Sequence, residues 1–170
     1  VDGDRVYALG TMGDLHCLRV RDGKVLWEKN FVRDYNTTIN VWGMAAAPNV
    51  FGDKLITLVG GKPGACVVAF NKTTGEEIWR QFEVDDPGYA PPLLIEAGGK
   101  RQVIVWTPKF VASLDVETGK PYWQHPCSIN AGLSIAAPVH VPEENRLLVS
   151  SFYEGSIMLT LQKDRPISKE

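Results

Sequence analysis

No stretch of this chain is long and apolar enough to cross a membrane as a helix, and no block of like charge stands anywhere along it. The 18 basic and 20 acidic residues are interspersed and leave a net charge of −2, so there is neither the basic stripe of a nucleic-acid binder nor a polybasic surface for anionic lipid. Cysteine is scarce. Cys17, Cys66 and Cys127 are odd in number and contain neither a C-x-x-C pair nor two adjacent residues, so at least one thiol is free and no zinc or dithiol motif is spelled out. A scaffold built on disulfides is therefore not expected, although one bridge stays open. The opening "VDGDRVYALG" also lacks the basic and apolar segments of a signal peptide, as a mature or excised chain would, so compartment is not written here.

The helical period is missing too. Apolar residues do not recur at i, i+3, i+4 and i+7; they come in short β-rich runs cut by Gly, Pro and Asp-Gly. What is present is a repeat. "RVRDGKVLW", "NKTTGEEIW" and "DVETGKPYW" place Gly23, Gly75 and Gly119 four positions before Trp27, Trp79 and Trp123. The tryptophans recur at roughly 45- to 50-residue intervals, about the length of a four-stranded propeller blade. A second marker, "AAAP", "GYAP" and "IAAP", ends at Pro48, Pro91 and Pro138, and the Pro-to-Trp intervals of the two complete units are nearly equal.

Between the markers lie paired extended runs: "RVYALGT" with "DLHCLRV", "KLITLVG" with "CVVAFN", "RQVIVWT" with "FVASLDV", and "RLLVSSF" with "SIMLTLQ". Each full unit reads as four strands, A to D, joined by hairpins. The fold class is thus all-β: a β-propeller segment of four-stranded antiparallel blades covering 1–170, with blades at 1–31 (partial), 44–83, 88–124 and 133–170 (partial). The first unit opens at strand B. In the last, the expected glycine and tryptophan are Pro166 and Glu170, so fourteen strands are predicted, 3, 4, 4 and 3 per blade. An incomplete ring leaves blade faces unburied, so the expectation is a segment of a longer polypeptide, with a ring closed by two copies as the alternative.

Turn chemistry explains the repeat. Asp-Gly or Thr-Gly before the last strand puts glycine where φ must be positive. Six positions before each glycine stands a small residue, Cys17, Ala69 or Ser113, which allows close approach where blades pack. The indole four residues after the glycine then fills the joint with the next blade.

"SLDVETGKPYW", "AFNKTTGEEIW" and "CLRVRDGKVLW" resemble the repeat of the PQQ-like (quinoprotein-type) β-propeller family, approximately A-x-D-x-x-T-G-K-x-x-W. Arg19 and Asn71 depart from the motif's Asp, and Glu76 from its Lys. The resemblance covers nearly the whole chain and implies a bacterial protein, periplasmic or otherwise extracytoplasmic. Dehydrogenases of the family bind pyrroloquinoline quinone (PQQ) with Ca²⁺ through acidic and amide ligands, and often carry a disulfide between adjacent cysteines. No such cysteine pair exists here, and the acids cluster at turns, as at Asp22, Glu76 and Glu77. No cofactor, metal or catalytic residue is predicted; PQQ with Ca²⁺ is the alternative.

Other candidate chemistry is thin. His16, His125 and His140 fall on different units without ligand spacing, and His16 and Cys17 point to opposite faces of a strand. "GGKPG", Gly60 to Gly64, lacks the Lys-Ser or Lys-Thr and the helix of a phosphate loop and reads as a B–C hairpin. Asp85 and Asp86 precede Pro87 in an inter-blade loop. Trp42, Tyr89, Trp106 and Tyr153 lie off the repeat positions and are the candidate binding face, against core or loop packing. The expected function is a non-catalytic scaffold for a protein or peptide partner. A fragment of a PQQ-dependent alcohol or sugar dehydrogenase, and the sensor domain of a membrane-anchored kinase, are the alternatives that the resemblance implies.

Overall fold

In the computed structural model, which describes residues 1–163 and the backbone of 168 and 169, the repeats fold as four separate antiparallel sheets. The chain divides into two compact units, Val1–Pro87 and Gly88–Glu170. The first unit holds a three-stranded sheet, β1 (Arg5–Leu9), β2 (Asp14–Arg19) and β3 (Val25–Asn30), and a four-stranded one, β4 (Asn49–Phe51), β5 (Lys54–Gly61), β6 (Ala65–Asn71) and β7 (Glu77–Gln81). The second unit holds β8 (Leu93–Ala97), β9 (Lys100–Trp106), β10 (Phe110–Asp115) and β11 (Pro121–Pro126), then β12 (Val139–Val141), β13 (Arg146–Ser151), β14 (Gly155–Leu161) and β15 (Ser168–Lys169). Each sheet is a meander in which sequence neighbours pair. This is the all-β propeller architecture expected from the repeat.

Two details differ from expectation. The last sheet has a fourth strand, β15, whose two residues pair with Thr160 and Leu161 of β14; backbone pairing needs no repeat motif, so the absent glycine and tryptophan did not announce it. The positions where that motif was sought, Pro166 and Glu170, lie outside the described residues. A one-turn helix, α1 (Phe31–Tyr35), also follows β3. The Asn30 side chain caps it by accepting from the Arg33 N–H at 2.8 Å, while the Asp34 carboxylate accepts from the Asn30 N–H at 3.0 Å.

The middle strands β5 and β6 are buried at nearly every position, which explains their unbroken apolar runs: both faces are covered. Leu15, Phe31, Tyr35, Leu55, Val68 and Phe70 form the core of the first unit; Ile95, Ile104, Trp106, Val111, Leu147 and Leu159 belong to that of the second.

The recurring turn has one hydrogen-bond pattern. Gly23, Gly75 and Gly119 donate their N–H groups to the carbonyls of Arg19, Asn71 and Asp115, and these three donate in turn to the carbonyls of Lys24, Glu76 and Lys120. The glycines sit at φ 70°, 76° and 71°, a region costly for any residue with a Cβ. Asn71 and Asp115 also brace the turn with their side chains, accepting from the N–H groups of Thr73 and Thr74, and of Glu117 and Thr118. Arg19 has no acceptor to offer. There Asp22 takes over, receiving the Lys24 N–H and a two-pronged contact from Arg19 at 2.9 and 2.8 Å. The motif's departure at Arg19 is thus compensated within the turn.

The small residue before each turn lies across the ladder from the indole. Cys17, Ala69 and Ser113 are the register partners of Trp27, Trp79 and Trp123, and a bulge follows each pair. A large side chain there would compete with the indole directly across the ladder. Trp27 shows what the indole does. It lies over the Gly75 turn so closely that a Cβ on Gly75 would stand 2.8 Å from Trp27 Cδ2, and its Nε1–H donates to the Lys72 carbonyl at 3.1 Å. The Tyr7 hydroxyl donates to the same carbonyl at 3.0 Å. Trp27 is partly buried, and Trp79 and Trp123 are buried.

Candidate functional site

A β-hairpin of the last sheet carries the most exposed aromatic pair of the second unit. Between β13 and β14, Phe152 and Tyr153 are 83% and 64% exposed and meet edge to face with centroids 4.9 Å apart. The turn that lifts them is braced from below. The Glu154 carboxylate accepts from the Ser151 hydroxyl at 2.6 Å and from the Asn130 N–H at 3.0 Å, while the Glu154 N–H donates to the Ser151 oxygen at 2.9 Å. The Ser151 contact, with the Asn130 N–H, holds the Glu154 carboxyl below its usual range. Beside the pair lies an open cleft of about 350 Å³ lined by Leu133, Ile135, Ala136, Ser150, Ser151 and Phe152. Ile135 is itself exposed. Rigid aromatics next to an apolar hollow, with polar groups already satisfied, suit the capture of an apolar side chain or loop.

Of the four residues of the expected binding face, two are buried and two exposed. Trp106 is 1% exposed, packed among Ile95, Ile104 and Val111, and Tyr89 is also buried, with its N–H on the Ser134 carbonyl at 3.0 Å. Trp106 closes β9, where inward-facing positions belong to the core, so the rings of these two are not presented to a partner. Trp42 is 67% exposed beside Val41 in the loop before β4, held by the Met44 N–H on the Thr11 carbonyl. Tyr153 is on the hairpin just described. Phe152 and Ile135 escaped sequence reading; the apolar dipeptide Phe-Tyr before Glu-Gly, at a hairpin turn where polar residues are the rule, was the available signal.

The titratable groups are mostly committed. Asp85 pairs with Lys62 and Asp86 accepts from Asn40 Nδ2. "GGKPG" is the β5–β6 turn, with the Gly64 N–H donating to Glu83. His16 lies 3.5 Å from Glu28, His125 packs on Trp123, and burial pushes the His140 imidazole down. Burial raises the thiols of Cys17, Cys66 and Cys127, all of them free. Calcium needs several converging oxygens, yet among the described residues no three His, Cys, Asp or Glu side chains gather as a metal site. The turn acids that might have served are occupied: Asp22 by Arg19, Glu77 by Tyr35 and Arg80, and Asp115 by Tyr122 and Thr118.

Residues 1–168 match the family described as outer membrane protein assembly factor BamB. The chain belongs to that family. Among solved structures it is similar to BamB from Moraxella catarrhalis, with a TM-score of 0.68 and 18% identity over 99% of this chain and 50% of that one. A europium-containing methanol dehydrogenase (TM-score 0.65, 12% identity, 99% of this chain and 39% of that one) and the quinohemoprotein alcohol dehydrogenase from Comamonas testosteroni (0.64, 15%, 98% and 33%) share the same blades. At such identities the likeness shows the fold. The chain spans half or less of the length of each. Among curated proteins none matches. Membership of the BamB family agrees with the four antiparallel sheets. No helix among the described residues is long and apolar enough to cross a membrane.

Proposed function

We propose that this chain is a non-catalytic propeller segment of a larger extracytoplasmic bacterial protein, a scaffold that binds a protein partner during assembly of outer membrane proteins. The observation that carries the reading is the braced Phe152–Tyr153 hairpin with its apolar cleft. Exposed aromatics held rigid lose little entropy on binding, and such anchors dominate interfaces. Family membership supports the biological setting and an extracytoplasmic location. The commitment of the turn acids to hydrogen bonds favours scaffold over dehydrogenase.

The test is complementation in a bacterium lacking the gene. Outer membrane protein levels fall in its absence, wild type restores them, and F152A/Y153A does not, although the purified variant keeps the wild-type melting temperature because both side chains are exposed. Full restoration by the double variant overturns the hairpin as the contact. Turnover of an alcohol or sugar by the purified protein supplied with PQQ, Ca²⁺ and an artificial electron acceptor overturns the non-catalytic reading itself.

A further inference from the structure

In an antiparallel meander the A–B and C–D turns share one end of the sheet, and the B–C hairpin lies at the other. The Phe152–Tyr153 hairpin is a B–C turn. At the opposite end of the second unit lies a different cleft, of about 470 Å³, between the two sheets of that unit. The β8–β9 turn is Gly98-Gly99, and with no side chain there to cover it the cleft stays open. Lys100 and Arg101 line it from β9, Asn145 from the turn before β13, and Lys163 from just beyond β14.

The arginine that lines it is out of keeping with the other described arginines. Arg5, Arg19, Arg21, Arg33, Arg80 and Arg146 each sit beside a carboxylate. Among the described residues Arg101 is the one arginine without an ion pair, and Lys100 and Lys163 have none either. Among the described lining residues Glu96, opposite Arg101 across the ladder, is the only carboxylate. Among the described residues that line it, three cations stand against one anion, in a chain of net charge −2, and make this a local field of reversed sign.

We propose that this cleft docks an acidic peptide segment of the partner protein. It rests on the scaffold reading for the ligand's being a peptide. The dimensions favour a peptide over a lone oxyanion: the volume is an order of magnitude above the ~30 Å³ share of one water, and the cations come from two separate segments, β9 and the residues just beyond β14. Arg101 offers a planar fork to one carboxylate, Lys100 and Lys163 offer point charges, and the Asn145 amide offers a neutral donor.

The test uses the whole chain and fluorescein-labelled hexaglutamate, followed by anisotropy. Saturable binding is expected at about 0.01 M salt, weakening by about tenfold at about 0.15 M as the Debye length contracts from about 30 to about 8 Å. K100E/R101E/K163E abolishes it. K24E/K109E/K120E, which makes the same change in net charge at exposed lysines outside the cleft, and F152A/Y153A leave it intact. Absence of binding, or binding that survives K100E/R101E/K163E, overturns the proposal. So does loss of binding in K24E/K109E/K120E, which marks a non-specific charge effect, and so does inorganic phosphate competing as well as the peptide, which marks a small-anion site. Because F152A/Y153A reports on the hairpin alone, a failed cleft and a failed scaffold reading give different patterns.

Discussion

Replacing Gly75 by alanine isolates the joint that the repeat builds. Two penalties act at that position. The φ of 76° costs a residue with a Cβ about 1–2 kcal/mol. The new methyl also meets Trp27 Cδ2 at 2.8 Å, Cε3 at 2.9 Å and Cγ at 3.1 Å, and an indole pressed between turn and sheet cannot swing aside as a flexible chain end does. Overpacking of that kind adds about 1–3 kcal/mol. Gly23 is the internal control, since it has φ 70° in the same turn with nothing within 4 Å of its added Cβ. G23A should therefore cost the backbone term alone and G75A about 1–3 kcal/mol more, read from urea denaturation. The cycle closes with Trp27→Ala: without the indole, the excess cost of G75A should vanish, giving a coupling energy of that same size. Equal destabilisation by G23A and G75A, or an excess that persists in the W27A background, would refute the stacking of Trp27 on the Gly75 turn.

Trp79→Ala and Trp123→Ala should each cost about 3–5 kcal/mol as large-to-small changes at buried sites, and a wild-type melting curve for either variant would contradict its burial. At pH 8, taken as about half a unit below the free-thiol value, a disulfide reagent should label Cys127 first; Cys17 and Cys66 are fully buried, burial lifts the Cys66 thiol to about 12, and both should react only after denaturation, as peptide mapping would show. Burial opposes the charge of Asp115, yet the Tyr122 hydroxyl and the Thr118 and Glu117 donors outweigh it and hold the carboxyl below its unfolded value. The resulting stability is complete above the ordinary aspartate value of about 3.9 and is lost as pH falls through the lower folded value. Asp115→Asn should therefore lower the melting temperature at neutral pH and flatten its acid slope, and parallel curves for the two proteins would tell against the assignment.

The architecture was legible because a turn needing positive φ, a small residue and an indole are tied together by backbone geometry, and that geometry prints itself at fixed spacing. Strand β15 was not legible, since two residues held by main-chain pairing leave no side-chain mark. Helix α1 was signalled only by Asn30 and Asp34, ordinary loop residues unless their reach to the Asn30 and Arg33 N–H groups is known. The binding face was the least legible. An aromatic off the repeat position can face either way, and burial separates Trp106 from Tyr153 although both stand near the end of a B strand. Cleft charge was hidden for a related reason: Lys163 is distant in sequence from the adjacent Lys100 and Arg101, and only the pairing of every other described arginine makes Arg101 stand out.

The oxygen on which Tyr7 and Trp27 converge belongs to the main chain of Lys72. Mutation at position 72 exchanges a side chain and leaves that oxygen in place, so the joint makes no demand on the identity of the residue that anchors it. Its requirements fall on the two donors and on the bare glycine beneath the indole. A lineage can thus rewrite most of a blade, strand by strand, while the blade keeps its seat on its neighbour.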